Sequence, residues 1–293
     1  MRILVTGGTG AVGSQFVAAA SARGHTLLSL SRREPSRPVP GVTYAVGSLA
    51  APPMEVVTAF RPEACVHLAW IAVPGEYLES PENQDWVTWS ESLLNALRES
   101  GVGRFVVAGT CAEYGVTGAP LDEQSSPLHP CSTYARCKVE LHSRLNTRFG
   151  GSGVSLAWAR LFYPYGEAEH PARLASTLVS RLRRGETVEL RTPGSIKDFI
   201  HLQDVGEALV TVVERGWNGP INVGTGCGVS VETFARQIAR AVGRPDLVRV
   251  AENRMPDPLG FMVADATRLR SLEWSPKVSL ETGIHRLVEA RAS

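Results

Sequence analysis

The segment LVTGGTGAVGS (4–14) restricts what this 293-residue chain can fold into more than any other stretch. It follows an apolar run, RILVT (2–6), and precedes apolar residues at helical spacing over 12–23. Gly7, Gly10 and Gly13 therefore stand at a strand–turn–helix junction with G-x-x-G-x-x-G spacing. Glycines there let the chain turn tightly, let a pyrophosphate approach the backbone and let the helix lie close to the sheet. The helix N-terminus adds free N–H groups and the positive end of its dipole. With Ala11 and Val12 between the last two glycines, the loop predicts a dinucleotide site in an α/β fold.

The rest of the chain keeps that rhythm. Apolar runs at 2–6, 26–30, 43–46, 64–69, 104–109 and 154–160 read as buried strands. Between them, 12–23, 54–61, 84–100 and 133–148 carry helical spacing. Apolar strands alternating with helices imply a parallel sheet covered on both faces, a doubly wound Rossmann architecture. After residue 160 the strands shorten and stand apart (187–190, 198–201, 220–223, 248–251). They alternate with helices over 171–184, 203–215, 230–242 and 279–290. This predicts a dinucleotide-binding domain over 1–160 and a smaller C-terminal α/β substrate lobe over 161–293. Part of 197–216 is expected to return to the first domain.

The end of the second strand selects the dinucleotide. An NAD site places a carboxylate there for the ribose 2′-hydroxyl. Here the chain reads Ser31, Arg32, Arg33, with no acid before Glu34. Guanidinium groups suit a 2′-phosphate, which a carboxylate would repel. NADP(H) is the expected cofactor.

Charge and cysteine usage exclude other classes. Thirty Lys and Arg balance 29 Asp and Glu, which leaves no field to attract nucleic acid or an anionic membrane. The basic run RLRRGE (181–186) reads as a solvated helix end. No apolar stretch is long enough for a membrane span. Five scattered cysteines without a C-x-x-C pair argue against disulfides or a metal site and for a reducing, cytoplasmic location.

TYARCK (133–138) places Tyr134 and Lys138 one helical turn apart. Together with TGGTGAVGS, HLA (67–69), GTCAEYG (109–115), ARLFYPYG (159–166), KDFIHLQDV (197–205) and INVGTG (221–226), it makes the chain resemble the extended short-chain dehydrogenase/reductase family. That family holds nucleotide-sugar epimerases, dehydratases and ketoreductases. The resemblance runs nearly end to end, with the motifs in family order. It implies that Tyr134 is the proton-exchanging acid and Lys138 its tuner, which also binds the nicotinamide ribose. A free phenol titrates near about 10, and a neighbouring ammonium favours the phenolate. The family's hydroxyl at the end of the fifth strand falls on Thr110. The HLA motif implies Leu68 and Ala69 beside the cofactor, and the family commonly forms a homodimer.

Family dehydratases follow that hydroxyl with Asp-Glu. This chain has Cys111 and Ala112, so water elimination is not expected. Glu113 is expected to face away from substrate, and Tyr114 suits packing or pocket equally. An epimerase recycles bound NAD, whereas a net reductase draws on NADPH. The arginines therefore favour a ketoreductase acting on a nucleoside-diphosphate sugar, with an epimerase as the alternative. Cys111, Ala112, Tyr163, Lys197 and Arg254 fall where the family contacts substrate. Lys197 replaces an arginine, and Ser48 replaces an acid near the adenine. His67 reads as a satisfied core histidine; Asp198, His201 and Asp204 read as a structural hydrogen-bond cluster. Trp70 fits a nicotinamide pocket or packing.

Overall fold

A computed structural model describes residues 1–35 and 37–291. Six strands and four helices build its first half. The strands are β1 (Arg2–Thr6), β2 (Thr26–Ser31), β3 (Val42–Val46), β4 (Ala64–His67), β5 (Arg104–Thr110) and β6 (Ser155–Leu161). The helices are α1 (Ala11–Ala22), α2 (Met54–Phe60), α3 (Asn83–Glu99) and α4 (Thr133–Phe149).

The strands join one parallel sheet in the order β6-β5-β4-β1-β2-β3, and a seventh strand, Gly219–Val223, pairs with β6 at the edge. Alternation along β1 shows why the sheet needs cover on both sides. Ile3 and Val5 face a cluster with Phe16 and Val17 of α1, while Leu4 faces Leu93, Leu94 and Leu141 of α3 and α4. Each side chain so buried contributes roughly 1.5–3 kcal/mol. The strand order reverses between β1 and β4, which opens a crevice at the carboxyl ends of those strands.

The strand over 219–223 corrects the expectation of an isolated strand in the C-terminal lobe. Ile221 and Val223 are fully buried and pair with Ala159 and Leu161. The helix before it, Leu202–Arg215, lies against α1. Gly206 makes that contact possible, since a Cβ there would stand 2.6 Å from the Gln15 carbonyl carbon. Three further C-terminal helices, Leu174–Arg183, Val231–Val242 and Leu280–Ala290, share a second core around Phe234 and Leu287, while the short helix Thr267–Ser271 packs Leu269 into the first. Short strand pairs fringe it, among them Tyr163–Tyr165 with Phe199–His201, and Ile196–Lys197 with Phe261–Met262.

Candidate active site

The glycine loop meets the stringent geometry its spacing predicts. Gly7 has φ 72°, and a Cβ there would lie 2.8 Å from the Ala69 nitrogen. A Cβ on Gly13 would lie 2.0 Å from the Gly7 carbonyl oxygen. Gly10 is the N-cap of α1 and donates its N–H to that same carbonyl at 3.0 Å. The first turn of α1 thus faces a groove of about 750 Å³ at the sheet's carboxyl edge. This backbone cradle at a helix N-terminus fits a pyrophosphate.

Gly7, Gly10, Ala11, Val12 and Gly13 line the groove, as do Ser31, Arg32, Leu68 and Ala69. Arg33 and Lys138 do not. Arg32 and Arg33 are both exposed, and among the described residues neither guanidinium has a partner. Ser31 donates its hydroxyl to the Arg33 carbonyl at 2.7 Å, which shapes the bend after β2. Ser48 also lines the groove and accepts the Ala51 N–H.

Three predicted reaction-centre residues meet below the groove. Ser132 caps α4 by accepting the Ala135 N–H, a contact worth about 1 kcal/mol. It thereby fixes the turn that carries Tyr134, whose phenol lies beside Thr110. Lys138 is buried, and its Nζ donates to the Ala108 carbonyl at 2.8 Å. The same Nζ lies 3.7 Å from the centroid of the Trp70 indole and 5.9 Å from that of the Tyr134 ring. Burial pushes the Lys138 ammonium down to about 7, against the pull of Glu113. Burial also raises the Tyr134 phenol, and the neighbouring Thr110 only partly opposes it. In this arrangement Lys138 is not among the groups that shift the Tyr134 phenol.

Beneath Thr110 lies a polar network that explains Glu113. Its carboxylate accepts from the Thr110 N–H at 2.8 Å, from Arg160 Nε at 2.8 Å and from Trp158 Nε1 at 3.0 Å. Arg160 also donates to the Tyr114 hydroxyl, which in turn donates to Asn222 Oδ1. Glu113 and Tyr114 are both fully buried within this network. His67 is neutral, with its ring nitrogens 2.8 Å from the Thr6 hydroxyl and 2.9 Å from the Ser90 hydroxyl. Burial, with Lys138 nearby, depresses it to about 3.

The predicted substrate residues divide. Cys111 and Tyr163 face Lys197 from one side of Thr110, and burial pushes the Cys111 thiol up to about 12. Ala112 donates its N–H back to Thr110 Oγ1. Lys197 is buried and already engaged, with Asp257 at 2.8 Å and with the Leu259 carbonyl. Arg254 stands exposed on the loop 251–260. Asp198 accepts from Thr225 and from the Gly226 and Ala264 N–H groups, while Asp204 accepts from the Lys277 and Val278 N–H groups. His201 accepts the Gln203 N–H. Asp204 lies close enough to His201 to favour its charged form, though burial outweighs it.

A strap over residues 71–82, absent from the sequence expectations, crosses the site. Its Leu78 carbonyl accepts the Tyr134 N–H at 2.9 Å, and Glu79 accepts from Thr133. Tyr77 meets Tyr134 edge-on at 5.0 Å, and the Arg173 guanidinium lies 5.3 Å from the Tyr77 ring centroid. Asn83 ties the strap to Trp70: it accepts from the indole N–H at 2.8 Å and donates to the Tyr77 and Ser80 carbonyls.

A Rossmann-like parallel sheet with a glycine cradle at its switch point, and a threonine–tyrosine–lysine set beside it, defines a dehydrogenase/reductase-type enzyme. Within that class the chain belongs to the NAD dependent epimerase/dehydratase family, whose model matches residues 3–224. A UDP-glucose 4-epimerase of Corynebacterium glutamicum is 27% identical over 99% of this chain and 94% of its own length. A dTDP-6-deoxy-L-talose 4-dehydrogenase (NAD(P)(+)) of Kitasatospora kifunensis is 26% identical over 100% and 96%. Among solved structures, the UDP-glucose 4-epimerase of Thermus thermophilus in complex with NAD superposes with a TM-score of 0.87. It is 28% identical and covers 100% of this chain and 99% of its own.

Proposed function

We propose that this chain reduces a keto group on a nucleoside-diphosphate sugar, a 4-keto-6-deoxyhexose, with NADPH as reductant. The observation that carries the reading is the arginine pair after β2: Arg32 is on the groove wall, both cations are unpaired among the described residues, and no acid stands at that strand end. A 2′-phosphate suits those cations. When bound in the groove, a reduced nicotinamide supplies the hydride. The Tyr134 hydroxyl gives its proton to the carbonyl oxygen, and the Thr110 hydroxyl beside it holds that oxygen. Elimination of water is disfavoured, since Cys111 and Ala112 carry no carboxylate and Glu113 is committed to Arg160 and Trp158. The relative named as a 4-dehydrogenase using NAD(P)(+) supports this reading. A homodimer joined through α3 and α4 and a cytoplasmic location belong to it.

The second reading is a nucleotide-sugar 4-epimerase with bound NAD, favoured by the relatives of that name. One experiment separates the two: the purified enzyme is mixed with dTDP-4-keto-6-deoxyglucose and either NADPH or NADH, and nicotinamide absorbance is followed. The reductase consumes NADPH faster than NADH, and Tyr134→Phe lowers kcat by about 100- to 10,000-fold. Co-purified NAD(H), no net consumption and interconversion of UDP-glucose and UDP-galactose would give the epimerase instead.

A further inference from the structure

Trp70 lines the dinucleotide groove, whereas Lys138, Tyr134 and Thr110 do not. The indole stands between the two, one face on the Lys138 ammonium and its edge 6.5 Å, centroid to centroid, from Tyr134. It is not a loosely packed ring. Its N–H is held by Asn83, which is fully buried and anchored to two strap carbonyls, and Trp86 lies at 6.2 Å on another side. An ammonium directs three N–H bonds. One reaches the Ala108 carbonyl, and the indole face attracts the cation on another side.

We propose that Trp70 is a positioning residue for Lys138: its indole face holds the ammonium against the Ala108 carbonyl in the resting enzyme and yields it to the ribose hydroxyls of the dinucleotide. The second half rests on the dinucleotide reading above; the first stands on the cofactor-free protein alone. The charged and titratable groups facing the ammonium are His67 from β4, Glu113 from the turn after β5 and Tyr134 from α4 itself. On α3, Glu91 is engaged with Arg144 and Arg148 and does not enter this cluster. His67 stays neutral across the ordinary range, so Lys138 is the group near the indole that titrates around pH 7.

The test begins without cofactor. A protonated amine against an indole quenches its emission, so wild type minus Trp70→Phe fluorescence should rise with pH through about 7. The step should vanish in Lys138→Met. A flat difference curve, or a step that survives Lys138→Met, overturns the proposal. The pH profile of kcat/KM provides the second readout, since it reports the free enzyme. Losing the indole face should move the alkaline limb of Trp70→Leu down by about half a unit or more, and Trp70→Phe should restore part of the shift. A uniform drop at every pH would make Trp70 a wall only and also overturn the proposal. Dinucleotide binding is followed separately by calorimetry. A wild type that binds none loses the cofactor reading, yet the emission titration still decides whether the indole holds the lysine.

Discussion

Two ion pairs lie near the reaction centre, and they are built differently. Arg160 and Glu113, 2% and 0% exposed, sit inside the sheet with partners from β5, β6 and the edge strand. Lys197 and Asp257, 7% and 21% exposed, join a two-residue strand to an otherwise exposed loop. The first pair satisfies its carboxylate with donors from two paired strands, β5 and β6, that cannot move independently. The second pins one loop with one cation. The difference teaches that Thr110 rests on a fixed floor, whereas the loop near Cys111 and Tyr163 is held by one lysine, through Asp257 and the Leu259 carbonyl, and by a few backbone bonds.

Removing the carboxylate from the floor is the strongest test. Glu113→Gln leaves the Arg160 cation buried and uncompensated, and should cost about 3–5 kcal/mol in urea denaturation. An equal loss from Asp257→Asn would break the contrast.

Acid comes next. His67 on β4 is depressed to about 3 and His142 on α4, stacked on Trp158 of β6, to about 4, both chiefly by burial. The unfolded chain binds those protons near pH 6.5 and the folded chain does not. Their contribution is complete above pH 6.5 and is lost as pH falls, by up to about 1.4 kcal/mol per unit for each. Burial pushes the Asp257 carboxyl up, but Lys197, the Leu259 N–H and Ser195 outweigh it and hold it below its ordinary value. Its contribution persists until pH falls below the usual Asp range. Between pH 6.5 and 4.5 the denaturation midpoint should therefore drop while protease resistance of 252–260 is kept.

The smallest effect is expected at that loop. Lys197→Met should cost about 1–2 kcal/mol, since it strands a half-solvated carboxylate rather than a buried cation. Limited proteolysis should show faster cleavage within 252–260, with the sheet still protected.

Much of this architecture is legible in the sequence. The long strands and helices follow from apolar runs and helical spacing, and the groove follows from three glycines. What the sequence hides is mostly non-local. Strands of two or three residues, such as 196–197 and 261–262, carry no period to read. The edge strand 219–223 resembles its short neighbours in sequence, and only its pairing with β6 separates it from them. Glu113 does leave a trace: Thr110-x-x-Glu113 is a capping-box spacing, and the structure forms that box. Arg160, a lone cation in the apolar run VSLAWAR, points to a buried counter-charge. Nothing in the spacing of Trp70, Asn83 and Lys138 announces that the indole holds the lysine.

The late edge strand also bears on how the chain is born. Until residues 219–223 have emerged and paired, β6 is a border of the sheet, with a row of unpaired backbone groups. The nascent protein is therefore most vulnerable to sticking to its neighbours in that interval, and a stall or truncation just before Gly219 would prolong it.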